Sequence, residues 1–492
     1  MADKRKASRH TEIERKFAVT GETVSPSFQG LSVIGRVDRS EPQHLDAVYY
    51  DTEGQHLGER RVTLRRRTGG PDAGWHLKLP AGADARTEVR LPLGDGDAVP
   101  DELRDVVLAI VRDRDLVPVA RISTVRTVDV LFDQSGSPVA EFCDDQVTAS
   151  AVGGDEQTWR EWELELAEGA DPGLLERLAA RLLDAGATPA GHGSKVGKVL
   201  AATAPERRPP SDDPVHRAVA EQIEELLVWD RAVRTDAWDS VHQMRVTTRK
   251  IRSLVKGSEE SFGLNDDAFV LEELKLLAGV LGVARDAEVL AERYEKSLDA
   301  LPDHLVRGPV RTRLIDGAKR RYEAGWRRSL TAMRSERYFR MLDALDALAS
   351  AEPVTSESGE PPKQTTVESA YRKVRKAAKV AEQAKADPDL SPEQKDEALH
   401  RIRKSAKRLR YTAAATGKGD VADGAKAIQS LLGDHQDSVV SRKHLLHEAT
   451  AAHVAGEDTF TYGLLFSSEE QVARSAEDQL DDVLKRLRKA AG

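Results

Sequence analysis

The chain has 492 residues, more than one hydrophobic core serves, so two or three domains are expected. Charged residues make up 32% and aromatics 5%, and a formal net charge of −9 excludes a globally basic nucleic-acid binder. Residues 1–200 hold 26 Lys/Arg against 34 Asp/Glu and the remainder 48 against 49, so a polyanion site must come from local clustering.

The first predicted element is a strand over 12–19. Side chains two apart share a face of a strand, so Glu12, Glu14 and Lys16 point one way and Ile13, Arg15 and Phe17 the other. Further alternating runs follow at 47–51, 61–68, 75–79, 86–93, 121–132, 138–148 and 159–167, which reads as an antiparallel barrel or sandwich. The same polar face recurs along them. Arg65 pairs with Arg67, His76 with Lys78, Arg86 with Glu88 and Arg90, and Glu161 with Glu163 and Glu165. Acid and base are segregated by strand, and an acidic triplet on one strand is costly without a cation. These faces therefore read as the lining of a closed sheet rather than a wet surface. Carboxylates there suit Mg²⁺ or Mn²⁺, and arginines suit phosphate oxygens. Asp171-Pro172 opens a helix that ends near Gly186. Gly191, Gly193 and Gly197 lack the spacing of a phosphate loop and read as a turn.

Two proline-rich stretches, Ala204–Pro214 and Glu352–Thr366, read as a linker and a long loop. Beyond the first the text is helical and duplicated. His242, Arg245, Arg249 and Arg252 fall on one helical face, and His400, Arg403, Lys407 and Arg410 take the same offsets in a second segment. A third basic run, Tyr371–Lys379, contributes Arg372 and Arg375. Downstream blocks 281–286 and 432–437 also match, and Asp286 and Asp437 are expected to cap helices there. Basic helices without acids one turn on, repeated, suit a clamp for a linear polyanion. Nucleic acid is disfavoured by the scarcity of aromatics for base stacking. The one cysteine, Cys143, excludes an intrachain disulfide framework. With no apolar run near the N-terminus or of bilayer length, the expectation is a cytoplasmic protein without a membrane span.

Glu12-Ile-Glu-Arg-Lys16, with Arg65 and Arg67, Lys78, the 161–165 run and Ser194-Lys195, resembles the CYTH, or triphosphate tunnel metalloenzyme, family over residues 8–203. The resemblance implies an eight-stranded antiparallel α+β tunnel that hydrolyses triphosphates with a divalent metal. By position, Glu12, Glu14, Asp145, Glu163 and Glu165 would bind metal. Lys16, Arg65, Arg67, Lys78, Arg126 and Lys195 would hold phosphates, with Arg126 preferred to Arg121 on strand parity. Residues 214–490, after a linker at 204–213, resemble the conserved histidine α-helical, or CHAD, family, which implies inorganic polyphosphate binding. The expected architecture is therefore two-domain: the tunnel, then an all-α bundle of pseudo-twofold repeats at about 214–350 and 367–490. The expected activity is Mg²⁺- or Mn²⁺-dependent hydrolysis of triphosphate or polyphosphate. A non-catalytic polyphosphate binder and an adenylate cyclase are the alternatives.

Overall fold

A computed structural model describes residues 8–205, 211–264, 268–354 and 366–492. The chain divides into two compact units, Met1–Arg207 and Arg208–Gly492. Of the two proline-rich stretches, residues 206–210 and 355–365 lie outside the described residues.

The first unit carries β1 (Ser8–Val19), β2 (Arg36–Arg39), β3 (Gln43–Asp51), β4 (Thr63–Thr68), β5 (Gly74–Pro80), β6 (Ala85–Leu91), β7 (Val117–Phe132), β8 (Pro138–Ala151), β9 (Glu156–Leu166) and β10 (Thr188–Pro189). Eight of them close an antiparallel tunnel in the order β1-β6-β5-β4-β3-β7-β8-β9 and back to β1. β1 makes the closure, pairing Ser8–Ile13 with β6 and Glu14–Val19 with β9. β2 adds to β7 and β10 to β1.

The charged faces turn inward because the opposite faces have apolar surface to bury. Around α1 (His56–Glu59), α2 (Asp101–Val106) and α3 (Leu108–Val111), the outer residues Leu64, Trp75, Leu77 and Val89 pack with Leu57, Leu103 and Ile110. On the other side, Phe17, Phe142, Trp162 and Leu164 pack under α4 (Gly173–Asp184) through Leu174, Leu178 and Leu182. A short helix, α5 (Lys195–Val199), starts at Ser194, whose hydroxyl accepts from the Gly197 amide. Val196, Val199 and Leu200 pack against Ala120, Ile122, Val147 and Ala149, on the strand faces that also carry Arg126 and Asp145. One stretch of the inner face is thus apolar and filled by α5, and the next is charged.

The second unit is all helix: α6 (Pro214–Arg234), α7 (Ser240–Gly257), α8 (Phe269–Asp299), α9 (Gly317–Ala332), α10 (Glu336–Ala349), α11 (Val367–Ala386), α12 (Pro392–Ala415), α13 (Gly419–Val454) and α14 (Phe460–Ala490). Asp213 caps α6 by accepting from Val215 and His216, and Ser391 with Gln394 forms a capping box at α12. The duplication recurs helix by helix but not at one spacing, since Arg245 of α7 and Arg403 of α12 lie farther apart in the chain than Gly282 of α8 and Gly433 of α13. Buried Val219, Ile223, Asp230 and Val233 of α6 match Ala370, Val374, Ala381 and Ala384 of α11 at one constant spacing. Gly282 of α8 and Gly433 of α13 match at that same spacing. Asp286 and Asp437 do not cap helices; each lies in the middle of α8 or α13, which run on for 31 and 36 residues. The preceding glycines are clearances rather than stops. A Cβ on Gly282 would stand 3.3 Å from Arg245 Nε, and one on Gly433 would stand 3.3 Å from an Arg403 guanidinium nitrogen. Among the described residues no helix is long and apolar enough to cross a membrane.

Candidate active site and polyanion cluster

β1 and β9 run side by side with Glu14 directly opposite Glu165 and Lys16 opposite Glu163. Like charges directly opposite destabilise a sheet, so something must offset them. Carboxylate oxygens of Glu12, Glu14 and Glu165 gather within 4.8 Å of one another, and those of Asp145, Glu161 and Glu163 do the same. The second group is filled by the protein's own cations. Lys195 Nζ lies 2.8 Å from both Asp145 and Glu161 and 2.6 Å from Glu163. Arg126 donates to both oxygens of Asp145 at 2.7 and 2.6 Å and also reaches Glu163, which Lys16 joins from the other side. Burial works against the Lys195 ammonium, but Asp145, Glu163 and Glu161 more than offset it and hold its pKa well above the ordinary value.

The first group is only partly neutralised. Lys78 pairs with Glu12, while Lys16 stands 2.9 Å and Arg86 3.4 Å from Glu14. Burial pushes the Glu14 carboxyl up, yet Lys16 and Lys78 prevail and bring it to about 2. Glu165 has no hydrogen-bond or ion-pair partner among the described residues. Burial, then Glu12, pushes it up to about 7, with Glu14 adding and Lys78 opposing. A half-buried carboxylate that faces two others with no ion-pair partner among the described residues suits a cation, and three hard oxygens fit Mg²⁺ or Mn²⁺. The expected metal carboxylates therefore fall into two sets: Glu12, Glu14 and Glu165 around a site that fits a cation, and Asp145 and Glu163 held by Arg126, Lys195 and Lys16.

Facing them is a basic wall. β4 supplies Arg65 and Arg67 and β5 supplies Lys78, and all three line the same cavity of about 70 Å³ as Glu12, Glu14 and Glu165. Arg65 donates to the Tyr49 hydroxyl at 3.3 Å, and Arg67 pairs with Asp72. The Nε of each is buried and donates to nothing among the described residues. Burial, then Arg65 and Arg126, lowers Arg67 to about 9. Crowded guanidiniums with orphaned donors fit phosphate oxygens. Arg126 shares the inner face and Arg121 is exposed, as parity on β7 requires.

Several lining residues were not assigned from the sequence. Arg86 bonds the Gly193 carbonyl at 2.7 Å, and Arg90 reaches Glu12 at 3.1 Å. Their alternation with Glu88 on β6 was the available signal. His76 is fixed between the Asp72 carbonyl and Glu88, each at 2.9 Å. Tyr49 belongs to a run that reads as apolar, so no pattern marked it.

In the helical unit, α7 and α12 bring the two basic segments together. Arg249 feels Arg245 from its own helix and Arg403 from α12. Lys407 sits 5.6 Å from the Tyr411 ring centroid. Burial, then Arg249, Arg403, Arg245 and Arg410, pushes it down to about 6. His242 and His400 are both lowered, chiefly by burial, then by arginine or lysine neighbours. Arg252 donates to the Leu271 carbonyl at 3.1 Å and Arg410 to Gln429 at 3.3 Å. Asp286, 3.6 Å from Arg245, and Asp437, which feels Arg403, flank the cluster. Arg372 and Arg375 are not among the fields felt at Lys407, Arg249 or His400; they lie exposed on α11.

A closed eight-strand tunnel with opposed acid and base walls, followed by a duplicated basic bundle, defines a triphosphate tunnel protein with a helical appendage. The CYTH domain model matches residues 10–185 and the CHAD domain model residues 217–446, so the chain belongs to the family that joins a CYTH domain to a CHAD domain. A relative described as an uncharacterized protein of Mycobacterium tuberculosis strain H37Rv is 60% identical over 502 residues, covering 98% of this chain and 97% of its own. Among solved structures, PptA from Streptomyces chartreusis aligns at 18% identity and TM-score 0.44, over 56% of this chain and 100% of its own. The CHAD domain from the plant Ricinus communis aligns at 22% identity and TM-score 0.41, over 57% of this chain and 92% of its own.

Proposed function

We propose that the protein is a divalent-metal-dependent hydrolase of inorganic triphosphate or polyphosphate, with the helical domain binding the polyphosphate chain. The observation that carries the reading is the complementary pair of clusters: Glu165 beside Glu12 and Glu14 with no ion-pair partner among the described residues, and the orphaned Nε donors of Arg65 and Arg67 opposite. Together they describe the outline of a metal–polyphosphate complex.

Glu12, Glu14 and Glu165 would hold Mg²⁺ or Mn²⁺. When bound, the cation withdraws charge from phosphoryl oxygens and lowers the pKa of an attacking water. Arg65, Arg67 and Lys78 would grip non-bridging oxygens and stabilise charge on the departing phosphate. Lys16, Arg126 and Lys195 hold Glu163 and Asp145 in place, so the acid wall stays fixed, and Lys16 and Arg126 also border the cavity. Deprotonated Glu165 is available to accept a proton from water. His242, Arg245, Arg249, Arg252, His400, Arg403, Lys407 and Arg410 would bind the chain of phosphates outside the tunnel.

The test is a substrate panel. The protein with Mg²⁺ or Mn²⁺ is given tripolyphosphate, long-chain polyphosphate and ATP separately, and orthophosphate and cyclic AMP are measured. Orthophosphate release from the inorganic chains is the expected result. Cyclic AMP from ATP would make it a cyclase, and binding with no turnover of any substrate would make it a receptor.

A further inference from the structure

α11, α12, α13 and α14 border a cavity of about 400 Å³ that shares no residue with the tunnel or the basic cluster. Leu399, Ile402, Leu480 and Leu484 line it, together with Asp396, His435, Arg442 and Glu477. His435 is buried, and its Nε2 stands 3.4 Å from Glu477 and 3.7 Å from Asp396. One N–H cannot serve both carboxylates. Asp396 makes no hydrogen bond among the described residues, and burial raises its pKa above the ordinary carboxylate value. Arg442 has no ion-pair partner among the described residues, and its buried Nε donates to nothing. Both carboxylates feel Arg442, so opposite charges border one space. Of the other charged groups around it, Arg474 pairs with Glu470 at 3.1 Å, and Glu382, Lys385 and Asp481 are exposed. The first repeat closes the matching place. Blocks 281–286 and 432–437 align without a gap, and Gly282 and Gly433 take the same position against Arg245 and Arg403. His435 therefore stands where α8 has Ala284, and Ala284 is packed so closely that a Cβ on Gly325 of α9 would come within 2.7 Å of its backbone. The cavity thus comes with the second repeat's own side chains.

We propose that this cavity binds a small amphipathic zwitterion, an amino acid or dipeptide with apolar side chains. The ammonium of such a ligand carries three donors and would lie between Asp396 and Glu477, supplying the hydrogen bonds that His435 alone cannot. Its carboxylate would accept from the Arg442 guanidinium, whose planar fork suits two oxygens. Its side chains would cover Leu399, Ile402, Leu480 and Leu484 and remove them from water. A bare metal cation answers only the acids: it leaves Arg442 unpaired and the apolar wall wet. The cavity also falls in the size range of pockets for small organic ligands, about 300–1,000 Å³.

Titration calorimetry of the full chain, with L-leucine, L-leucyl-L-leucine, hexylamine and hexanoate as separate probes, tests it. At least one of the two zwitterions is expected to bind about tenfold or more tightly than both hexylamine and hexanoate, because each of those leaves one buried charge unanswered. The tighter of the two zwitterions gives the length the cavity takes. Asp396→Asn and Arg442→Gln should each weaken that binding about tenfold or more. Arg442→Lys keeps the charge without the fork and should fall between Arg442→Gln and wild type. All three replace half-buried side chains and are expected to keep the wild-type helical circular dichroism, which separates loss of binding from loss of fold. Wild type that binds neither zwitterion at millimolar concentration, hexylamine or hexanoate binding as tightly, or folded variants that bind like wild type would overturn the proposal. The titrations contain neither metal nor polyphosphate, so their outcome is independent of the proposed hydrolysis.

Discussion

Glu165 is the side chain whose protonation ties the fold to cation binding. Its carboxyl ionises near 4.5 in an unfolded chain and at about 7 in the folded protein. Between those values the folded state holds the extra proton. Its contribution to stability is therefore complete below about pH 4.5 and is lost as pH rises to about 7, by up to about 3 kcal/mol. Metal-free protein should show this fall in a series of thermal melts across pH, and Glu165→Gln should flatten it. Mn²⁺ binding, measured calorimetrically, should release a proton below pH 7 and tighten as pH rises to that value. A slope unchanged by Glu165→Gln would assign the effect to another group. Arg67, lowered to about 9 by burial and its guanidinium neighbours, makes the mirror-image case for an anion.

At the scale of elements, the two basic helices make a cluster that neither makes alone. Lys407, at about 6, is largely neutral at pH 7.5 until an anion offsets Arg249 and Arg403. Polyphosphate binding near that pH should therefore take up close to one proton. Titration calorimetry in buffers of different ionisation heat measures the uptake, and Lys407→Arg should abolish it while retaining affinity. Packing between α8 and α9 is equally specific. A Cβ on Gly325 would come within 2.7 Å of the Ala284 backbone, so Gly325→Ala should cost about 1–3 kcal/mol in a denaturant melt. The eight wall strands were legible because a charged inner face and an apolar outer face both repeat every second residue. β2, with four residues, and β10, with two, are too short to show a period. The tunnel acids and the paired arginines could be read from parity, whereas the split of carboxylates between Glu165 and the cation-filled set depends on Lys195 arriving from α5. Asp286 and Asp437 were misread as caps because Asp is a favoured N-cap residue, whereas here both lie mid-helix beside the basic cluster.

At the scale of the whole molecule, the proposed function puts a polyphosphate-binding domain and a hydrolytic tunnel on one chain, which would raise the local concentration of a long substrate at the tunnel. Tethering of this kind multiplies apparent affinity without a new contact. Cutting the chain between the domains should therefore raise KM for long-chain polyphosphate about tenfold or more and leave KM for tripolyphosphate unchanged. Steady-state kinetics of the intact and divided protein check this. The central claim is that Glu14 belongs to a metal-dependent hydrolytic site separate from the polyphosphate-binding helices. The most direct test compares wild type with Glu14→Ala for Mn²⁺-dependent phosphate release from tripolyphosphate, alongside binding of long-chain polyphosphate to each. The account predicts that release falls at least about 1000-fold while binding is retained. Undiminished release in Glu14→Ala, or loss of polyphosphate binding together with activity, would contradict it.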